Sequence, residues 1–499
     1  MRIWAGLFLG VAAAMAAAAC GSDTSGVAGN DLGGSGGGGA TGGGGLGGGG
    51  TGGTTLTCIV GTGQCQGLVP QTCQAGGIWS IGTACPYACQ SGACYGSCKP
   101  GTQQCKYGKA QTCGANAEWG PPQDCEFGCE NGACRTGCLA GEFNCYGNQI
   151  QQCDAGPPSK WVPKPGATAC AAASGQKCDK ATGTCVTVPV VGTTTPNGKY
   201  YQYATFKTGS SAFLGGYDVT SHGDYVYVNR TSQYLDVYKI TLVDSDGDGE
   251  LEPNQHPDNP DNTGPVEQRN IELVKSYAKA ADLVPLGPAS QASLFAMDND
   301  KIYMLGPTHN GIISEYVFAT KAVTVPVQPL ATTPYMSFLG YAQAEKLWYS
   351  GNEGARRVYS YHEPTKAWVA EFGYPDMAGS HMDGLDAVIS PKTGEQYVYV
   401  SDMTSDFIGQ YRRDDKGGWV QEHLYEYNDA TSSAIEGFGF GTLKHFWGTG
   451  GQYLYELGGG DIQKDLEPCA NGMPACGTGL PECQTGYYCK AGCCAKGVR

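Results

Sequence analysis

Five pairs of strand-like segments recurring through a cysteine-free middle region, flanked by cysteines at regular spacings, predict an all-β fold class. The architecture expected is a β-propeller of five blades, preceded by disulfide-rich repeats and followed by a small disulfide-rich module. Between residues 192 and 463 the chain has no cysteine and alternates aromatic with β-branched residues. D-Y-V-Y-V-N (224–229) leads to L-D-V-Y-K-I, D-K-I-Y-M-L (300–305) to I-S-E-Y-V-F, and E-K-L-W-Y-S (345–350) to R-V-Y-S-Y-H. E-Q-Y-V-Y-V (395–400) leads to F-I-G-Q-Y-R, and L-K-H-F-W-G (443–448) to Q-Y-L-Y-E-L. Each pair reads as a period-2 strand, a turn and a second strand. Their starts lie 76, 45, 50 and 48 residues apart, and the first interval approaches 50 once an acidic insertion at 244–265 is set aside. A β unit repeating at that period hides its sheet faces against its neighbours, which is how radial closure avoids long bare edges. A sixth blade arises if residues 198–207 form a degenerate copy; otherwise they supply a closing strand.

Before each pair stands a short segment expected to be the innermost strand: G-G-Y-D-V, S-L-F-A-M-D, S-F-L-G-Y, H-M-D-G-L-D and A-I-E-G-F-G. These place Asp218, Asp298, Asp383 or Asp386, and Glu436 near the axis, where converging carboxylates either hold a cation or stay hydrated at the channel mouth. The stretch H-M-D-G-L-D-A-V-I-S-P-K-T-G-E-Q-Y-V-Y-V (381–400) resembles blades of the regucalcin, gluconolactonase and NHL-type propellers. That resemblance implies a channel metal polarising a lactone carbonyl, with Asp383 and Glu436 as ligands and Asp218 as base. His222, His309 and His381 are candidates for acid–base roles. No G-x-S-x-G, H-E-x-x-H, P-loop or dinucleotide fingerprint occurs.

The chain carries 25 cysteines. Setting Cys20 aside leaves 24, in four blocks of six. Cys58, Cys65, Cys73, Cys85, Cys89 and Cys94 form the first; Cys98, Cys105, Cys113, Cys125, Cys129 and Cys134 repeat every spacing 40 residues later. The third opens on the same period at Cys138, Cys145 and Cys153, then drifts to Cys170, Cys178 and Cys185. Units of this size, poor in Val, Ile, Leu and Phe, need cross-links in place of a core, so disulfides are expected to stay within each block. Thiolate zinc sites are disfavoured, since histidines are absent nearby and export brings oxidising conditions. Trp79, Trp119 and Trp161 recur once per unit and read as a small apolar plug in each cage. The repeats, residues 56–186, resemble cysteine-rich units of exported bacterial lipoproteins. A fourth block, Cys469, Cys476, Cys483, Cys489, Cys493 and Cys494, has different spacing and forms a separate module at 468–499.

Residues 1–19 read as an export signal: Met-Arg, an apolar run and a small-residue cleavage region ending in Cys20. The segment resembles a bacterial lipoprotein signal, which implies acylation of Cys20 and accounts for the odd cysteine. Residues 20–55, with runs such as G-G-G-G-A-T-G-G-G-G, form a tether whose reach is roughly 30 Å. The formal net charge of −15 argues against nucleic-acid partners and against adhesion of the folded part to anionic lipid. Membrane attachment is therefore expected through the lipid anchor alone, on the outer membrane or cell surface.

The acidic insertion contains D-S-D-G-D-G-E-L-E (244–252). Asp244, Asp246 and Asp248 at alternating positions, with a glycine for the sharp turn, match the start of an EF-hand loop, but position twelve is Gln255 and Pro253 opposes an exiting helix. The stretch resembles a thrombospondin type 3 calcium repeat, which implies further oxygens from Glu250, Glu252 and, downstream, Asp258, Asn259 and Asp261. Structural calcium pinning the insertion to the propeller rim is the expectation. Two functions follow: a surface-anchored module presenting its propeller to an extracellular protein or glycan, favoured, and a metal-dependent lactone hydrolase.

Overall fold

The computed structural model describes residues 58–208, 216–230, 234–247, 249, 251–260, 262–278, 294–306, 310–330, 333–343, 345–376, 382–389, 395–402, 405–414, 417–427, 435–459, 487–490 and 493–496. The signal segment, Cys20, the tether, Asp248, Glu250, Asp261, His309, His381, Cys469, Cys476 and Cys483 lie outside them. The described residues divide into two compact units, 58–62 with Cys73–Ser80, and Gly63–Thr72 with those from Ile81 onward.

Three disulfides close within each of the first three blocks, joining first to third, second to fifth and fourth to sixth cysteine. They are Cys58–Cys73, Cys65–Cys89 and Cys85–Cys94; Cys98–Cys113, Cys105–Cys129 and Cys125–Cys134; Cys138–Cys153, Cys145–Cys178 and Cys170–Cys185. The insert of the third block lengthens its second and third loops to 33 and 15 residues, from 24 and 9, without changing the pairing order. Each block carries a hairpin near its start, such as Gln103–Lys106 with Lys109–Thr112. There Tyr107 and Gly108 both take positive φ, the turn that matches the twist of two antiparallel strands. The interior is sulfur: Cys85, Cys98, Cys113, Cys138 and Cys170 are all buried. Trp79, Trp119 and Trp161 are only half-buried, which corrects the plug reading. Half-cystines and small residues such as Ala110 and Ala117 occupy the interior instead.

The middle region forms five antiparallel sheets in chain order. The first consists of Gly216–His222, Tyr225–Arg230, Tyr234–Val243 and Gln268–Ala278. The second consists of Leu294–Phe295, Lys301–Leu305, Ile313–Val317 and Val323–Val327. The third is Phe338–Ala342, Leu347–Asn352, Arg357–His362 and Ala367–Gly373. The fourth is Met382–Ile389, Gln396–Asp402, Phe407–Arg413 and Trp419–Glu426, with Gly198–Lys199 added in parallel at its edge. The fifth takes Gly437–Phe440, Phe446–Gly450 and Tyr453–Gly458 from the end of the region and Tyr201–Lys207 from its beginning. Residues 201–207 thus complete the last sheet. Every expected strand pair and innermost segment is present in the expected order.

The second strands are buried on both faces, so consecutive residues such as Val226, Tyr227 and Val228 all lose their exposure. Each sheet packs against the next through one apolar cluster. Tyr227 and Leu235 meet Leu294 and Ile302; Tyr303 and Leu305 meet Leu339 and Trp348. Tyr349 and Phe372 meet Val398 and Leu424; Tyr399 and Ile408 meet Phe438 and Phe446. Trp447 and Leu454 of the fifth sheet meet Val226 and Tyr238 of the first. The architecture is propeller-like, and its stability resides in these faces, where a fully buried large apolar side chain contributes about 1.5–3 kcal/mol.

The second and third repeats bond directly to the sheets. Ala172 of the third repeat, and Val188 just after it, join the cluster between the second and third sheets. Asn148 Nδ2 donates to the Trp368 carbonyl at 2.8 Å, and Lys106 pairs with Glu395 at 3.2 Å. The third repeat, too small to bury all its apolar residues alone, buries Ala172 against the sheets.

Candidate functional site

Three places hold the side chains singled out by sequence. At the innermost strands the carboxylates act as staples between sheets. Asp218, 3 % exposed, accepts the Leu294 N–H at 2.6 Å, and Thr220 Oγ1 accepts the Ala296 N–H two residues on. Asp386 Oδ1 accepts the Ala387 N–H and its Oδ2 the Phe440 N–H, both at 2.7 Å. Burial raises the Asp386 carboxyl to about 7 against these two bonds. Asp298 caps the turn after its strand by accepting the N–H groups of Asp300 and Lys301. Asp383 is buried, Glu436 half-buried, and His222 stands half-buried at the end of its strand. The innermost strands approach backbone to backbone: a Cβ on Gly437 would lie 2.2 Å from the Asp218 Cα, and one on Gly384 would lie 2.3 Å from the Phe438 Cβ. Glycine at these two positions is a condition of the close approach.

Among the described residues, the acidic groups that come within reach of one ion lie elsewhere. Asp244, Asp246 and Glu267 bring ligand oxygens within 4.8 Å of one another. The local sequence builds this geometry. Asp244 Oδ1 and Oδ2 accept the N–H groups of Gly247 and Gly249, which curls the loop back, and both glycines have positive φ. Val243 pairs with Gln268, so Asp244 and Glu267 are the next residues out on facing strands. Glu267 lies just past the expected insertion. The signal that could have found it is register, since a carboxylate at the foot of the returning strand must face the loop that opens opposite. Glu252 is buried but is not in this group. Of the downstream oxygens, the Asp258 side chain is 80 % exposed, and Asn259 Nδ2 donates to the Tyr203 hydroxyl.

Behind the loop lies a buried polar network that sequence reasoning missed. Arg269 Nε pairs with Glu456 at 2.9 Å, while its Nη1 and Nη2 donate to the carbonyls of Glu267 and Pro253. His445 Nδ1 bonds Glu456 and its Nε2 bonds Asn254, each at 2.6 Å. The Tyr203 hydroxyl donates to the Asn254 carbonyl at 2.7 Å. Burial acts to raise the Glu456 carboxyl, but His445 and Arg269 hold it below its ordinary value.

The third place is an open groove of about 900 Å³ along the second and third repeats. Tyr107, Phe127, Phe143, Tyr146 and Trp161 line it, together with His362 of the third sheet. Tyr146 meets His362 edge-on at 5.1 Å, Phe127 lies 6.2 Å from Trp161, and the Trp161 indole N–H donates to the Glu126 carbonyl at 2.9 Å. Lys109, Arg135 and Gln151 bring hydrogen-bonding groups to the same walls.

No family model matches the chain, and no curated protein does. Solved structures of β-propeller proteins are similar to it. A streptogramin B lyase structure has 11 % identity and a TM-score of 0.30, covering 52 % of this chain and 97 % of its own. A luciferin-regenerating enzyme has 14 % identity and a TM-score of 0.29, covering 51 % of this chain and 95 % of its own. YCF48 bound to D1 peptide has 14 % identity and a TM-score of 0.26, covering 54 % of this chain and 99 % of its own. Likeness at this level carries nothing about chemistry, and the description of the fold rests on the order and packing of the sheets.

Proposed function

We propose that this chain is a non-catalytic extracellular binding protein, anchored by a lipid on Cys20, with a closed five-bladed propeller, a calcium-stabilised loop and a glycan-binding groove on its second and third repeats. The observation that carries the reading is the groove. Five aromatic rings stand along an open trough among hydrogen-bonding side chains, an arrangement that suits sugar rings, whose C–H faces pack on aromatic surfaces while their hydroxyls bond to polar neighbours. Closure at five blades is supported by the five apolar clusters, which join each sheet to the next and the fifth to the first, and by the 201–207 strand in the fifth sheet. The hydrolase alternative needs Asp218 as a base beside an ion held by Asp383 and Glu436, whereas Asp218 is engaged with the backbone of the neighbouring sheet.

Tryptophan fluorescence titrated with a panel of soluble polysaccharides tests the groove. Trp161→Ala is expected to weaken binding about tenfold, the worth of one stacking contact of about 1–1.5 kcal/mol. Unchanged affinity in the variant, or no binding by wild type alongside metal-dependent turnover of lactones, would remove this reading. The anchor is tested by detergent-phase partitioning of the exported protein. Cys20→Ser should move it to the aqueous phase, and retention equal to wild type would refute lipidation.

A further inference from the structure

We infer that a calcium ion held by Asp244, Asp246 and Glu267 works as a latch on the junction between the first and fifth sheets. The inference rests on the calcium reading of the acidic loop and adds to it a ligand and a consequence.

The ligand is Glu267. It is 2 % exposed; its Oε2 accepts from the backbone and hydroxyl of Ser245, while its Oε1 is buried with no hydrogen-bond partner. A buried carboxylate oxygen left without a donor is costly, and a hard cation is the partner such an oxygen takes when other carboxylates converge beside it. Asp244 and Asp246 do converge there, within 4.8 Å. Arg269 does not fill the role, because its guanidinium bonds the Glu267 carbonyl and the Glu456 side chain. An all-oxygen set on a curled loop suits calcium, which accepts irregular geometry, better than magnesium, which demands a near-ideal octahedron.

The consequence follows from what stands behind the loop. Glu267 holds Arg269 through its carbonyl, and Arg269 holds Pro253 of the insertion and Glu456 of the fifth sheet. Glu456 binds His445, His445 binds Asn254, and the Asn254 carbonyl accepts from Tyr203. Tyr203 belongs to the Tyr201–Lys207 strand, the one drawn from the start of the region, whose Ala204 pairs with Glu456. His256 of the insertion packs its ring 5.2 Å from Tyr201 on the same strand. The insertion is thus bonded on one side to the metal loop and on the other to both strands that complete the fifth sheet. An ion that binds only the folded insertion stabilises everything cooperative with it by mass action.

The test uses the whole exported chain with calcium chloride or a chelator, read by calorimetry and by hydrogen exchange on peptides covering 201–207, 244–267 and 453–458. Calcium at about 100 times its dissociation constant should raise protection of all three segments by up to about 100-fold. Glu267→Gln, which keeps side-chain volume, should weaken calcium binding at least tenfold. Asn254→Ala should keep calcium binding and protection at 244–267 but lose the added protection at 201–207. Calcium binding that protects 244–267 alone in wild type would overturn the latch and leave the calcium reading standing. Absence of calcium heat would overturn both, as would binding unchanged in Glu267→Gln for the ligand assigned here.

Discussion

Arg269→Ala is expected to lower the stability of the chain by about 3–5 kcal/mol, read as the shift in urea midpoint. The Arg269 and Glu456 side chains are 1 % and 0 % exposed, so the pair has no water to fall back on when one member is removed. Deleting the guanidinium leaves Glu456 ionised and buried with His445 as its remaining partner, and it frees the carbonyls of Pro253 and Glu267. Removing both charges together should hurt less than removing one. In Arg269→Met with Glu456→Gln, the stranded carboxylate is gone and an amide oxygen still faces His445, so part of the loss should return. A single-variant cost near 1 kcal/mol, the scale of an exposed pair, would show that the junction admits water and that this network does not hold it.

The network was out of reach of sequence because its members come from four separated segments, around 203, 254, 269 and 445–456, and no local spacing relates them. The strand pairs were legible for the opposite reason. Each is a local hairpin whose alternation is set by its own sheet, so D-K-I-Y-M-L and I-S-E-Y-V-F announce the 301–305 and 313–317 strands without outside information. Cysteine blocks were legible as blocks, since the period of 40 residues is written in the chain, whereas the order of pairing depends on how two hairpins cross. The innermost-strand carboxylates are legible in position but not in what they bond. Position on an innermost strand says that Asp218 faces a neighbour, and only the 2.6 Å bond to Leu294 shows that the neighbour is backbone. Glu267 lies past the acidic run, and only the pairing of Val243 with Gln268 brings it beside Asp244.

The pH dependence of stability should carry the signature of Asp386. Its carboxyl is 4 % exposed, and burial lifts it from 3.8 to about 7 in the folded chain, even with the N–H groups of Ala387 and Phe440 directed at it. Below about pH 4 both folded and unfolded chains hold this proton, and the stabilisation is fully present. As pH rises from about 4 to 7 the unfolded chain releases the proton while the folded chain keeps it, so stability falls by about 1.4 kcal/mol per unit, a loss of order 4 kcal/mol by neutrality. Above about pH 7 both are ionised and the loss levels off. Glu456 runs the other way: its folded value is lowered, so its contribution is present above the ordinary carboxylate range and disappears in acid. Separating the two requires a difference curve. Asp386→Asn cannot ionise, but it offers one acceptor oxygen where the carboxyl offers two, so it should be less stable than wild type at pH 5 by about 1–3 kcal/mol. Its deficit should shrink steadily toward pH 7 and reverse above it, because the wild-type chain then carries a buried charge that the amide lacks. Urea midpoints at half-unit intervals from pH 4.5 to 8 give the curve. Parallel profiles for the two proteins would mean that Asp386 is hydrated, with an ordinary carboxylate pKa, and that the innermost strands of the fourth and fifth sheets stand further apart than the Gly384 and Phe438 contact requires.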